Sequence, residues 1–235
     1  MERNELVLLR LSNQYLLHAA EPMRVLCAMN GFQAQFLSNA LYARRLRSTA
    51  YDTAYAADSL VKSWTLRGTM HIFAEADLPL FLHTGCRYRS RDWTVPSFWN
   101  QRPNWALTPK RQAYFSDLII DALAQGPMTR EALKARCRAA GMTQAEEGSI
   151  FHPWGGGIRE LCERGFLCGT VSEEKAFRLC PAFTPMEEQD ALLEQTRRYF
   201  TNYGPASVRD AAYYFGTSQA EIKKRLARLP VKAAE

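Results

Sequence analysis

No apolar run in the 235-residue sequence approaches the roughly 18 residues that a membrane span requires. The opening MERNELVLLRLSNQ also lacks the uninterrupted apolar segment of a secretion signal, so a cytoplasmic chain with no membrane association is expected. Histidine is scarce, with four in all. Six cysteines (27, 86, 137, 162, 168 and 180) are irregularly spaced: His83 and Cys86 form a single close pair with no second pair to complete a metal site. The thiols therefore read as reduced core fillers, and no metal is expected. There is no Walker loop, no Gly-x-Ser-x-Gly elbow and no dinucleotide fingerprint. WGGGIRE lacks the lysine and hydroxyl of a phosphate loop, so no cofactor is expected.

What is present is a globular composition, 47% hydrophobic, with 30 Lys and Arg against 24 Asp and Glu. The net charge of +6 weakly favours a nucleic acid partner and matters only where it is clustered on one face.

The clearest internal signal is a weak repeat. ALAQGPMTREALKARCRAAGM (122–142) resembles YFTNYGPASVRDAAYYFGTS (199–218) at an offset of 78 residues. Both read as helix, Gly-Pro turn, hydroxyl cap and second helix. In each, glycine can end the first helix in the left-handed region, proline blocks its continuation, and Thr129 or Ser207 caps the next amides. After the first copy, GGGIRELCERGFLCGTVSEEKAFRLC predicts a short amphipathic helix and two strands around SEEK, which completes a winged helix. The first hundred residues fit the same plan with helices near 5–18, 22–30, 34–47 and 57–63 and a strand in WTLRGTMHIF. The expected fold is thus mainly α with small β-hairpins, in tandem winged-helix units: 1–104, 105–184 and an incomplete third at 185–235. In the third unit the wing strands are missing after SQAEIKKRLARL, so its apolar face is expected to be covered by the other domains or by a complementary chain or oligomer. DWTVPSFWNQRPNWALTP, with Trp93, Phe98, Trp99 and Trp105, reads as an ordered linker with aromatics wedged between domains.

Three clusters are candidate phosphate contacts: Arg44, Arg45 and Arg47; Arg87, Arg89 and Arg91; and Lys223, Lys224 and Arg225. An alternating triplet points one way if extended, and Arg44 shares a helical face with Arg47.

The stretch NGFQAQF (30–36) sets Gln33 and Gln35 two apart, so that in extended backbone both amides face one side while Phe32, Ala34 and Phe36 face the other. An amide cannot act as a general base at neutral pH. It can hold a water by its carbonyl, which suffices where the electrophile is already nearly a cation, as when a positively charged alkylated purine leaves deoxyribose. A Gln-x-Gln pair is also compatible with plain surface or capping amides.

Together, NGFQAQF and SLVKSWTLRGTMHIF (59–73) resemble the AlkZ-type winged-helix DNA glycosylases, which carry a Gln-hydrophobic-Gln motif followed by Arg-Gly-Thr-hydrophobic-His. RLSNQYLL and the two Gly-Pro repeats are similar as well, so the resemblance covers essentially the whole chain. It implies a monofunctional glycosylase acting on double-stranded DNA. Its substrates would be cationic N-alkylated purines and, in some members, crosslinked nucleobases, with Gln33 and Gln35 holding the attacking water. Gln35 places the chain in the Gln-Gln branch rather than the branch with Asp at that position. Strand alternation puts Arg67, Thr69 and His71 on one face, where Arg67 and His71 are candidate DNA contacts; the same residues can instead tie the strand to neighbouring helices. Family members usually continue beyond this chain's end, which leaves three expectations: a partner supplies the rest, the chain is a fragment, or activity is lost. Two other readings stand beside the enzyme: a non-enzymatic winged-helix DNA-binding protein, such as a regulator, and a module that binds other proteins.

Overall fold

The computed structural model describes residues 2–50, 59–172 and 174–230. The chain begins with α1 (Arg3–Asn13), α2 (Pro22–Ala28), β1 (Phe32–Gln33), α3 (Leu37–Arg45), β2 (Leu60–Trp64), β3 (Met70–Ala74) and α4 (Leu78–Phe81). Next come α5 (Pro109–Leu123), β4 (Met128–Thr129), α6 (Arg130–Ala139), α7 (Gln144–Ile150), α8 (Gly156–Glu163), β5 (Leu167–Gly169) and β6 (Ala176–Leu179). Helices α9 (Glu188–Asn202), α10 (Val208–Phe215) and α11 (Gln219–Leu226) follow. The architecture is mainly helical with short antiparallel strands, and it divides into two units. One joins Met1–Thr84 to Thr184–Glu235, and the other is Gly85–Phe183. Among the described residues no helix is long and apolar enough to cross a membrane.

In the first unit β3 lies between β1 and β2, pairing Gln33 with His71 and Ser63 with the same His71. Ile72 and Phe73 are fully buried there with Val25, Leu26 and Leu78. The Phe73 and Phe81 rings lie 4.6 Å apart. Side chains of this size each contribute about 1.5–3 kcal/mol when removed from water. The carbonyls that the end of α2 cannot pair within its own helix are met by the C-terminal segment. Arg198 donates to Cys27 O at 2.9 Å, Asn202 to Ala28 O at 2.9 Å, and the Tyr203 hydroxyl to Met29 O at 3.2 Å. Arg198 also grips Asp77 through two bonds of 2.8 and 2.9 Å, and Gln195 donates to Leu80 O at 2.8 Å. These bonds place α9 against α2 and α4, and α9 also packs on α1. Around Tyr199 the rings of Tyr203, Tyr214 and Phe215 pack with Ala211, Ala212 and Ile222 to join α9, α10 and α11.

The second unit packs α5, α6, α7 and α8 around Phe115, Ile119, Leu133, Ile150, Ile158 and Leu161. Its strands run antiparallel, β6 lying between β4 and β5. Within this unit the tryptophan-rich stretch is anchored: Trp93 and Trp99 are buried, and the Arg164 guanidinium sits 4.2 Å from the Trp93 ring centroid. Arg164 also pairs with buried Glu160 at 2.7 Å and donates to the Ser90 and Asp92 carbonyls.

Both hydroxyl caps form. Thr129 accepts from the Ala132 amide, and Ser207 makes a reciprocal capping box with Asp210. The glycines before them act otherwise than expected: Gly126 has φ 134°, outside the left-handed helical region, and Gly204 is not at positive φ. None of the six cysteines is in a disulfide, and four are buried. Burial first, then the Asp77 charge, pushes the Cys27 thiol up to about 12.

Several local expectations are corrected. The segment expected as a helix near 57–63 is strand β2 from Leu60, while residues 57 and 58 lie outside the described residues; pairing with β3 overrides the local pattern. WTLRGTMHIF is not one strand but the end of β2, a tight turn over Leu66–Gly68 and β3. Arg67 and Gly68 both sit at positive φ in that turn, so Arg67 does not share a strand face with His71. The first helix stops at Asn13, and the third starts only at Leu37 because Gln33 is in a strand and Phe36 is extended.

Candidate active site

Two residues with positive φ reverse the chain after α2: Asn30 at 55° and Gly31 at 75°. Asn30 is buried and donates to the Gln195 carbonyl at 3.0 Å, so α9 holds the corner. From there β1 runs along β3, and the Ala34 amide continues the pairing by donating to Met70 O at 2.7 Å. Alternation then buries Phe32 and Ala34 and exposes Gln33 and Gln35. Phe36 departs from its expected inward position: it is 73% exposed, immediately beside Gln35.

Gln33 Nε2 donates to Gln35 Oε1 at 2.8 Å. That bond fixes the two amides relative to each other. It leaves the Gln33 carbonyl oxygen, a lone pair of Gln35 Oε1 and the Gln35 amide hydrogens available to a water or a substrate.

His71 stands directly across from Gln33 and is 5% exposed. Its Nδ1 lies 3.0 Å from the Thr69 carbonyl. A carbonyl only accepts, so Nδ1 carries the proton and Nε2 is the bare acceptor. Burial drives the imidazole down to about 4, against the pull of the Thr69 bond, and the Arg67 charge adds to the fall. The ring is neutral at physiological pH. On the other side of His71, the buried Ser63 hydroxyl has no hydrogen-bond partner among the described residues.

The depressed histidine makes stability acid-sensitive. Between about pH 6.5 and pH 4 the unfolded chain takes up a proton at His71 that the folded chain refuses, so stability falls as pH drops through that window. Above it this contribution is fully present; at its lower end up to about 3 kcal/mol is lost. Urea unfolding of the wild type and His71→Asn at pH 7 and pH 4.5 measures it, and the variant shows a smaller acid loss.

The basic candidates fall in different places. Arg44 is 7% exposed, and Arg47 lies beyond the end of α3, half-buried, donating to Ala43 O with its guanidinium 5.7 Å from the Phe32 ring centroid. They are not a pair of free cations on one helical face. Arg45 is exposed. In the second unit Arg87 and Arg89 adopt left-handed backbone, φ 56° and 51°, so their segment is not extended. Arg87 donates to Pro96 O at 3.2 Å and Arg89 to Cys180 O at 3.1 Å, while Arg91 pairs with Asp117. Among the described residues no three His, Cys, Asp or Glu side chains group to hold a metal.

Arg67 is exposed, with its guanidinium 5.4 Å from the Tyr213 ring centroid. Tyr213, 78% exposed, and the exposed Arg209 lie outside the basic clusters and the glutamine motif that the sequence offers as candidates. The available signal was AAYYFG, whose three consecutive aromatics cannot all face one core.

Residues 26–234 match the family described as DNA glycosylase AlkZ-like. The chain is 28% identical over 218 residues to an interstrand DNA cross-link repair glycosylase from Streptomyces sahachiroi, an alignment covering 85% of this chain and 56% of that protein. It therefore spans little more than half the length of that curated relative. The solved structure of Streptomyces sahachiroi DNA glycosylase AlkZ superposes with a TM-score of 0.73 at 23% identity, covering 98% of this chain and 66% of that one, a likeness of fold. On the match across residues 26–234, the chain belongs to the AlkZ-like DNA glycosylase family.

Proposed function

We propose that the chain is a monofunctional DNA glycosylase that hydrolyses the N-glycosidic bond of cationic N-alkylated purines in double-stranded DNA. The observation that carries this reading is the 2.8 Å bond from Gln33 to Gln35, which preorganises two exposed amides without a general base. Water held by the amide carbonyls attacks C1′ while the bond from C1′ to the purine nitrogen breaks. The bonding pair moves onto the base and neutralises its positive charge, the water proton leaves to solvent, and the products are a free base and an abasic sugar. The amide dipoles favour the oxocarbenium-like centre, and a cationic base needs no acid to depart.

The Streptomyces relative is named for interstrand crosslink repair, which supports extending the substrate class to crosslinked nucleobases. The DNA-binding frame we propose is tandem winged helices at 1–104, 105–184 and 185–235, supported by the two capped repeats and the β5–β6 hairpin that follows α8. Of its candidate DNA contacts, Arg45, Arg67, Arg87 and Arg89 are exposed and Arg47 is half-buried, whereas Arg44 and His71 are buried and are not offered to DNA in this fold. A cytoplasmic location follows from this role.

Incubation with duplex DNA containing N7-methylguanine tests the proposal. Free N7-methylguanine and alkali-labile abasic sites are expected, without strand cleavage before alkali. DNA binding with no base release would favour the regulator reading instead.

A further inference from the structure

An open groove of about 750 Å³ in the first unit is lined by Arg67, Arg209, Tyr213 and Gly216 with their neighbours Ala212, Thr217 and Gln219. The lining holds two arginines and no carboxylate. Arg67 is held at φ 55°, a backbone state uncommon for a residue with a side chain, and its guanidinium lies by the Tyr213 ring. Gly216 makes room for it: a Cβ there would come within 3.1 Å of Arg67 Cγ. The arginine side chain thus lies beside the ring, while Tyr213 keeps 78% of its surface exposed. A solvated aromatic ring flanked by two cations suits a base that has lost its stacking partner and the phosphates that bracket it. The same hairpin turn connects Arg67 to His71, which pairs with Gln33, so the groove is physically tied to the amide pair.

We infer that this groove binds an unpaired nucleotide of the DNA strand, its base stacked on Tyr213 and its phosphates held by Arg67 and Arg209. The inference rests on the glycosylase reading and adds a nucleotide subsite to it. Paired bases keep both faces covered, so the groove discriminates in favour of disrupted duplex.

The test uses the full chain with two fluorescein-labelled duplexes, one fully paired and one with a single-nucleotide bulge of 2-aminopurine. Affinity is read across a salt series, and 2-aminopurine quenching reports stacking. The wild type is expected to prefer the bulged duplex and to quench it. Arg209→Ala weakens both duplexes and lowers the salt slope by about one. Tyr213→Leu loses about tenfold on the bulged duplex and abolishes quenching, whereas Tyr213→Trp keeps both. Arg209 and Tyr213 are exposed, so circular dichroism and melting should match the wild type. If the wild type binds DNA and releases N7-methylguanine but these variants match it in affinity, slope and quenching, the groove inference is overturned and the glycosylase stands. If the wild type neither binds DNA nor releases base, the glycosylase reading falls and the groove with it.

Discussion

Gln33→Ala and Gln35→Ala are each expected to lower base release from N7-methylguanine DNA by about 100-fold, the scale seen when one preorganised dipole is removed from a developing charge. DNA affinity should stay within about threefold of wild type, because both side chains are exposed and neither supports the core. The hydrogen bond between them sharpens the expectation. Gln33 Nε2 on Gln35 Oε1 means that truncating either residue frees the other to rotate, so each single variant already loses the oriented pair. The double variant should therefore be little worse than the worse single one, the non-additivity of residues acting as a unit. Single-turnover release kinetics on the four proteins decide it. Strictly multiplicative losses would mean that the amides act independently, and full activity in either single variant would remove the water-holding role.

How far such a site can be read from sequence depends on how local its causes are. The alternation that exposes Gln33 and Gln35 is local, as are the caps at Thr129 and Ser207, whose partners lie three residues away. The turn at Leu66–Gly68 was hidden because the alternation of Arg67, Thr69 and His71 with Leu66, Met70 and Ile72 reads as one strand, with Gly68 as the sole breaker. The corner before the amides was hidden for the opposite reason. Asn30 is held by the Gln195 carbonyl, 165 residues away, and Gln195 reaches Leu80 across 115. No periodicity encodes such partners. The arginine clusters misled in the same way: Arg44 and Arg47 look like surface charge in sequence, yet the fold buries one and lays the other by Phe32.

Gly31→Ala is expected to destabilise the fold by about 4 kcal/mol and to abolish base release even in the population that remains folded. Two costs combine. The residue sits at φ 75°, where a Cβ costs about 1–2 kcal/mol. That Cβ would also lie 2.5 Å from Ile72 O and 3.0 Å from Phe73 Cβ, atoms of the fully buried centre of β3 that cannot yield without moving the strand, an overpacking cost of about 1–3 kcal/mol. Relief by shifting β1 outward breaks the register of Gln33 on His71, and a one-residue slip would send both glutamines to the buried face. Gly141 is the control, because it too has positive φ, 81°, but its Cβ would meet nothing within 4 Å. Gly141→Ala should carry only the conformational part and retain base release per folded molecule. Urea unfolding paired with release assays normalised to folded protein separates the two. Equal losses of stability in both variants would show that backbone conformation alone is at stake, and a folded, active Gly31→Ala protein would show that the amide pair does not depend on the close approach of residue 31 to β3.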